Sequence, residues 1–167
     1  LDQRAMAEEL SWSCAQAINA LLPGSKPIHE DLRGLQRALA CTYYANLSVF
    51  RSAPDTWAID QLFPVMPIHR LDEQPTELGQ FADLTCDSDG KLDQFIDAGK
   101  TKSLLELHPL RDGEPYRIGI FLAGAYQEVM GNLHNLFGST NAVHVRLNPR
   151  GHGYLLDHVV RGHTNAD

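Results

Sequence analysis

The chain has 167 residues, which is enough for one domain with a hydrophobic core or for two small subdomains. It carries 14 Lys and Arg residues against 21 Asp and Glu residues, a formal charge of −7. An acidic chain without a basic stripe is a poor partner for nucleic acid or anionic membranes. No apolar run approaches the roughly 20 residues that a membrane-spanning helix needs. We therefore predict a protein that binds neither nucleic acid nor membranes.

The three cysteines are widely spaced and odd in number. Cys14, Cys41 and Cys86 contain no CxxC pair, which argues against a disulfide framework or a cysteine zinc site. Reduced thiols are typical of cytoplasmic proteins, and the first residues do not read as a secretory signal. The chain begins at Leu1 within a helical pattern and stops at Asp167 without a closing element. We expect a cytoplasmic location and a piece of a longer protein.

The first 60 residues read as helical. One apolar stripe runs from Leu10 to Leu21 at helical spacing, with Pro23 and Gly24 as the stop. A second helix is predicted after Pro27, and its stripe extends over Leu32, Leu35, Leu39, Tyr43, Leu47 and Phe50. The short link between the two helices favours an antiparallel pair. A further short helical turn is expected over residues 55–60.

From residue 61 onward the pattern is mostly that of β-strands. Apolar runs and turn residues predict strands over residues 65–70, 81–85, 104–107 and 116–122, with a turn at 111–114. Residues 142–147 and 154–160 flank a turn-rich link and predict a hairpin. One helix is predicted over residues 127–137, ended by Gly138. The fold class is therefore predicted as α+β: a helical hairpin over residues 1–60, then a mostly antiparallel β-domain over 61–167 with one inserted helix.

The first candidate site is the segment DLTCDSDG, residues 83–90. Asp87 and Asp89 occupy alternate positions and would project side by side from an extended backbone. Two neighbouring anions favour a cation, either a metal or a basic group of a substrate. Cys86 beside them could transfer a proton or act as a nucleophile. The alternative is an ordinary turn after a strand, because Asp, Ser and Gly are common turn residues, and the segment lacks the order of an EF-hand.

The second candidate site is the strand-to-helix junction at residues 124–127. A helix that begins after a glycine offers free backbone N–H groups to an anion, and the Tyr126 phenol could add a hydrogen bond to a phosphate. The alternative is a plain turn with Tyr126 packed beneath it.

The histidines and lysines give weaker signals. The spacing of His144, His152, His158 and His163 matches no zinc pattern, and we predict no metal ligand in this chain. His134 is expected to support the inserted helix. Lys91, Lys100 and Lys102 lie in a polar stretch, without the apolar surroundings that a Schiff-base lysine often has.

Four motifs, taken in order, resemble one family. Residues 52–71, 83–91, 119–137 and 142–145 resemble segments of the biosynthetic arginine decarboxylases, and the likeness extends over nearly the whole chain. These enzymes use pyridoxal phosphate on an alanine-racemase-like fold. The resemblance implies conversion of L-arginine to agmatine and CO2 on the route to polyamines such as spermidine.

The resemblance also implies a division of labour within the parent enzyme. An N-terminal (β/α)8 barrel holds pyridoxal 5'-phosphate through a lysine Schiff base, and a β-barrel-like C-terminal domain completes the active site of a partner subunit in a homo-oligomer. This chain would be the C-terminal part with a helical insertion, so the Schiff-base lysine would lie outside it. The fragment alone is then expected to be inactive, and the resemblance also allows Mg²⁺.

When the family's site residues are matched to this sequence motif by motif, the resemblance implies a role for each matching residue. Cys86 would protonate the substrate carbon after CO2 is lost. Asp87 would bind the guanidinium of L-arginine with two parallel hydrogen bonds, and Tyr126 would contact the cofactor. Asp89 is a second candidate for substrate binding, with its part in substrate choice left open.

Two alternatives to this interpretation remain open. One is a sister decarboxylase that acts on ornithine, lysine or diaminopimelate. The other is a non-catalytic module that has kept the fold, because fold and site are separable.

Overall fold

The computed structural model describes residues 2–21, 30–86 and 90–164. Its five helices are α1 Gln3–Ala20, α2 Glu30–Leu39, α3 Val49–Ser52, α4 Pro54–Ile59 and α5 Gly124–Met130. Its ten strands are β1 Cys41–Tyr44, β2 Val65–Pro67, β3 Glu77–Ala82, β4 Lys91–Leu92, β5 Phe95–Asp97, β6 Lys100–Lys102, β7 Leu105–Leu107, β8 Ile118–Ile120, β9 Ala142–Leu147 and β10 Tyr154–Val160. None of the helices in these ranges is long and apolar enough to cross a membrane.

The strands form one larger sheet and three two-stranded sheets. β3 pairs with β1, β4 and β7, while β2 pairs with β8, β5 with β6 and β9 with β10. The pairings β2–β8, β3–β7, β5–β6 and β9–β10 are antiparallel. The predicted α+β class with mostly antiparallel sheets is confirmed. The described strands do not close into a barrel, because they are short and divided among separate sheets.

The chain divides into two compact units. The first comprises Leu1–Tyr43, Leu62–Phe81 and Leu92–Phe121, and the second comprises Tyr44–Gln61, Ala82–Lys91 and Leu122–Asp167. Each unit is therefore assembled from three separate stretches of sequence. The predicted division into residues 1–60 and 61–167 stays a prediction.

The first unit contains a compact apolar core. Tyr43, Phe81, Leu92, Phe95, Leu105 and Leu107 are buried together. Gly79 of β3 lies so close to its neighbours that an added Cβ would sit 2.8 Å from Leu107 Cδ1 and 2.9 Å from the Cys41 carbonyl oxygen. The sheet can therefore pack this tightly only around a residue without a side chain.

The second unit contains α3, α4, α5 and the β9–β10 hairpin. The predicted hairpin is confirmed with the predicted bounds. No residue of its two strands is buried. Large apolar side chains such as Leu147 and Val159 are mostly exposed. An exposed two-stranded hairpin has little stability of its own in water, so its apolar faces are candidates for contacts with other protein surfaces.

The prediction of one long second helix is wrong. α2 ends at Leu39, and residues that continue its apolar stripe form β1 and then α3. Tyr43 is buried in the first unit's core, and its phenol donates a hydrogen bond to the His108 carbonyl oxygen at 3.1 Å. Aromatic residues pack well on a pleated sheet, and this long-range packing overrides the local helical spacing.

The inserted helix is shorter than predicted. α5 ends at Met130, and Gly131 rather than Gly138 is its C-terminal residue, in an extended conformation. An added Cβ on Gly131 would lie 2.1 Å from the Arg51 carbonyl oxygen, so only glycine allows the two backbones to approach. Asn135 and Leu136 then adopt left-handed φ values, which a helix cannot contain as a run.

The other strands and helices are found close to their predicted places. β2, β7 and β8 are shorter than predicted, while β3 begins and ends earlier, so that Thr85 lies beyond it. β1, β4, β5 and β6 were not predicted, because two to four residues carry too little periodicity. α1 and α2 contact each other, while their antiparallel arrangement stays a prediction and the Pro23–Gly24 stop lies outside the described residues.

Candidate functional site

Cys86 lies at the end of a short turn that follows β3. The side chains alternate along this turn: Asp83 and Thr85 are buried, whereas Leu84 and Cys86 are exposed. Cys86 is a free thiol, so it is open to small molecules from solution. Asp87 and Asp89 lie outside the described residues, and their roles stay predictions.

Asp83 organises this turn. Its carboxylate is 2 % exposed and accepts hydrogen bonds at Oδ1 from the Thr85 N–H at 3.2 Å and the Thr85 hydroxyl at 2.6 Å. Its Oδ2 accepts the Val49 N–H at 2.9 Å, at the first residue of α3. An aspartate that binds the backbone two residues ahead forms an Asx-turn, which fixes the direction of the chain. The buried charge is thereby satisfied by three donors.

The backbone around the turn is also held at two points. The Asp83 N–H donates to the Gly90 carbonyl oxygen at 2.8 Å, and the Leu84 N–H donates to the Leu47 carbonyl oxygen at 3.2 Å. The chain therefore enters the Cys86 turn and leaves the region at Gly90 in fixed positions.

Tyr126 lies within α5 and points into solvent. Its side chain is 68 % exposed, and its φ is +69°, in the left-handed region that costs a non-glycine residue about 1–2 kcal/mol. A left-handed tyrosine persists only where its surroundings hold it. The predicted helix after β8 is present, although α5 begins at Gly124, three residues before the predicted start, and its use as an anion site stays a prediction.

α5 is anchored to α3 and α4 by hydrogen bonds at Gln127 and Glu128, the two residues that follow Tyr126. Gln127 is 4 % exposed and exchanges two hydrogen bonds with Asp55, one to its backbone N–H at 3.2 Å and one to its carboxylate at 2.5 Å. Arg51 is 7 % exposed and donates to the Glu128 carbonyl oxygen at 3.2 Å and to Ser139 Oγ at 3.3 Å.

The Cys86 turn and the helix that carries Tyr126 are thus both bound to the same segment. Residues 47–55, which contain α3 and the start of α4, bind the Cys86 turn through Leu47 and Val49 and bind α5 through Arg51 and Asp55. Among the described residues, no hydrogen bond joins Cys86 and Tyr126 directly. Both belong to the second unit.

The histidines form no metal site within the described ranges. The rings of His144 and His158 face each other across the hairpin at 5.9 Å, but the described residues contain no group of three or more His, Cys, Asp or Glu suited to a metal ion. The expectation that His134 supports the helix is wrong. His134 follows α5, is hydrogen-bonded to Ser48 Oγ at 3.0 Å and packs on the Phe50 ring.

Four residues of this site were not predicted from the sequence. They are Arg51, Asp55, Asp83 and Gln127, all of which act by binding segments remote in the chain. Asp83 carried one local signal, since an aspartate at the end of a strand commonly forms an Asx-turn with the backbone two residues ahead. The other three carried none, because their partners are 72 to 88 residues away.

Comparison with known proteins gives consistent matches. The chain is 70 % identical over all 167 residues to the biosynthetic arginine decarboxylase of Prochlorococcus marinus (strain MIT 9303) and 71 % identical over the same length to that of a Synechococcus species. The chain is related over its whole length to the biosynthetic arginine decarboxylases. The resemblance seen in the motifs is therefore confirmed. No protein-family model matches the chain.

The matched region is one part of those decarboxylases. The chain spans 26 % of the length of the two cyanobacterial relatives. The crystal structure of the biosynthetic arginine decarboxylase of Campylobacter jejuni matches 72 % of this chain and 19 % of its own, with a TM-score of 0.61 and 40 % identity. At that identity, the arginine decarboxylase likeness extends to the fold.

Proposed function

We propose that this chain forms part of a pyridoxal-phosphate-dependent decarboxylase, a lyase that converts L-arginine to agmatine and CO2 in polyamine biosynthesis. The observation that carries the proposal is the identity of 70 % across all 167 residues to a biosynthetic arginine decarboxylase. That match includes both the Cys86 turn and α5.

The residues around Tyr126 suit a phosphorylated cofactor. The Tyr126 phenol is exposed, and the space beside Gly124 is open, since nothing lies within 4 Å of where a Cβ would be. Tyr126 would hold pyridoxal 5'-phosphate by a hydrogen bond from its hydroxyl. When bound, this cofactor accepts the electron pair that loss of CO2 leaves on the substrate carbon. The lysine that carries the cofactor is expected in the three quarters of the relatives that this chain does not match.

The Cys86 turn would donate a proton, and the residues that follow Cys86 would bind the substrate. Cys86 presents an exposed thiol, and it would donate its proton to the α-carbon after decarboxylation. Asp87, the next residue, would accept two parallel hydrogen bonds from the arginine guanidinium. Asp89 would add negative charge to the same pocket, which favours a cationic substrate.

The assembly and location of the intact protein follow from the same proposal. A homo-oligomer would place Cys86 at the cofactor of a partner subunit, in the cytoplasm. Mg²⁺ is a further cofactor that the family resemblance allows, although the described residues gather no cluster suited to it.

The decisive experiment measures agmatine formed from L-arginine by the intact protein with pyridoxal phosphate. We expect activity in the intact protein, none in the isolated chain, and a large loss in the Cys86→Ala variant. Cys14→Ala is the matched control, because Cys14 lies on the exposed helix α1. Full activity of Cys86→Ala would refute the role of the thiol.

The choice of substrate is tested by competition. Ornithine, lysine and diaminopimelate should compete weakly with L-arginine, because a guanidinium offers two parallel donors where an ammonium offers a point charge. Preferred decarboxylation of any of the three would indicate a sister enzyme. If the intact protein decarboxylates none of the four substrates and also has no functional cofactor site, it is a non-catalytic module.

A further inference from the structure

The Asp83 carboxylate binds both the Cys86 turn and the start of α3. Its carboxylate accepts the N–H and the hydroxyl of Thr85, the residue that directly precedes Cys86. The same carboxylate accepts the Val49 N–H, which ties the turn to the start of α3. One buried group therefore sets both the direction of the chain into Cys86 and its distance from α3.

Gly90 closes this arrangement from the other side. Its carbonyl oxygen accepts the Asp83 N–H at 2.8 Å, and a Cβ on Gly90 would lie 1.8 Å from Asp83 Oδ2. The carboxylate thus fills the space in which any larger residue would place its side chain.

We propose that Asp83 is the positioning residue for Cys86. The proposal rests on the role of Cys86 as the proton donor. The carboxylate itself touches no substrate, since it is buried beneath the turn. It holds the turn so that the thiol leaves the surface in one direction, and a proton donor must be held in such a geometry to protonate a single carbon.

Asp83→Asn is the informative variant because the two side chains have nearly the same shape. Asn offers one acceptor oxygen where three donors converge, and its NH2 group must face one of them. The turn then loses at least one hydrogen bond. Thr85→Val removes the hydroxyl that donates to Asp83, and Thr85→Ser keeps it, so this pair tests the same contact if Asp83→Asn folds poorly.

The first measurement is a double-mutant cycle on agmatine formation by the intact protein. We expect Asp83→Asn to lower kcat by about tenfold or more and to change the KM for L-arginine by less than about threefold. In the Cys86→Ala background, Asp83→Asn should have no further effect beyond about twofold, since it acts only through the thiol. A merely structural role would lower kcat by the same factor in both backgrounds, which overturns the proposal.

The second measurement needs neither cofactor nor activity. The rate at which iodoacetamide alkylates Cys86 in the cofactor-free protein is followed by peptide mass spectrometry, with Cys14 as the reference within each molecule. We expect Asp83→Asn and Thr85→Val to raise the Cys86 rate at least about threefold relative to Cys14, because a released turn lets the thiol align with the reagent. Thr85→Ser should leave the ratio unchanged.

Tyr43→Phe is the control for general destabilisation. It removes a buried hydrogen bond to His108 in the first unit and leaves the Cys86 turn intact, so the alkylation ratio should not change. A ratio that stays the same in Asp83→Asn, or that rises equally in Tyr43→Phe, contradicts the proposal. If Cys86→Ala keeps full activity, the proton-donor role fails instead, and the alkylation ratio alone decides whether Asp83 holds the turn.

Discussion

Gln127 and Asp55 hold each other by two reciprocal hydrogen bonds. The Gln127 carbonyl oxygen accepts the Asp55 N–H at 3.2 Å, while its NH2 group donates to the Asp55 carboxylate at 2.5 Å. The pair joins the start of α4 to α5. Gln127 is the residue directly after Tyr126. The exposed tyrosine is therefore positioned by its buried neighbour.

Replacement of Gln127 by Leu should loosen α5. A partly buried donor and acceptor on Asp55 would lose their partners, which costs up to about 1–3 kcal/mol. We expect faster hydrogen exchange of the α5 amides and weaker binding of pyridoxal phosphate by the intact protein. Val129→Ala, at an 88 % exposed position of the same helix, should leave both unchanged. Unaltered exchange in Gln127→Leu would show that other contacts hold α5.

The Cys41 thiol should react with alkylating reagents more slowly than the Cys14 thiol. Partial burial, reinforced by the Glu77 carboxylate 3.6 Å away, raises the pKa of the Cys41 thiol. Less thiolate is then present at a given pH, so iodoacetamide should modify Cys41 more slowly than the exposed Cys14 at mildly alkaline pH. Glu77→Gln should speed the reaction of Cys41 only in part, because burial is the larger cause. Glu106→Gln, which alters a neighbouring strand, should have no effect.

Titration of Tyr43 should weaken the first unit at high pH. Burial is the main cause that raises the pKa of its phenol to about 12, from an unfolded value of about 10. Because the folded pKa is the higher one, the stabilising contribution is present below pH ~10 and is lost as the pH rises towards ~12. We expect the free energy of unfolding to fall by on the order of 2 kcal/mol across this window.

Tyr43→Phe provides the test of that titration. It should cost about 1 kcal/mol at neutral pH through loss of the hydrogen bond to His108, and it should flatten the fall between pH ~10 and ~12. The measurement is hydrogen exchange of the β1 and β7 amides as a function of pH. A fall of the same size in the variant would assign the titration to another group.

Two glycines should respond in opposite directions to alanine. Gly79→Ala places a Cβ 2.8 Å from Leu107 Cδ1 and 2.9 Å from the Cys41 carbonyl oxygen, so overpacking should cost about 1–3 kcal/mol. Gly34→Ala meets nothing within 4 Å in the interior of α2 and should stabilise that helix by up to about 1 kcal/mol. Thermal denaturation of both variants checks the signs, and a harmless Gly79→Ala would contradict the tight packing of β3.

Long sequence patterns in this chain predict its elements better than short ones do. The β9–β10 hairpin was predicted with its bounds, because two apolar runs of six and seven residues flank an Asn-Pro-Arg-Gly link. β5 and β6 were missed, since three residues cannot show a period. Tyr43 was misassigned to a helix because its spacing fits both a helical stripe and a core strand, and only the packing against Phe81 separates them.

By itself, the sequence determined the α+β class, the hairpin, the cysteine that follows a strand and the likeness to the biosynthetic arginine decarboxylases. These depend on local periodicity and on ordered motifs, which are properties of neighbouring residues. The tertiary structure alone decided that Asp83 binds Val49 and that Gln127 binds Asp55. Those contacts join residues 34 and 72 positions apart, and their existence depends on which segments fold against each other, a relation that no local pattern encodes.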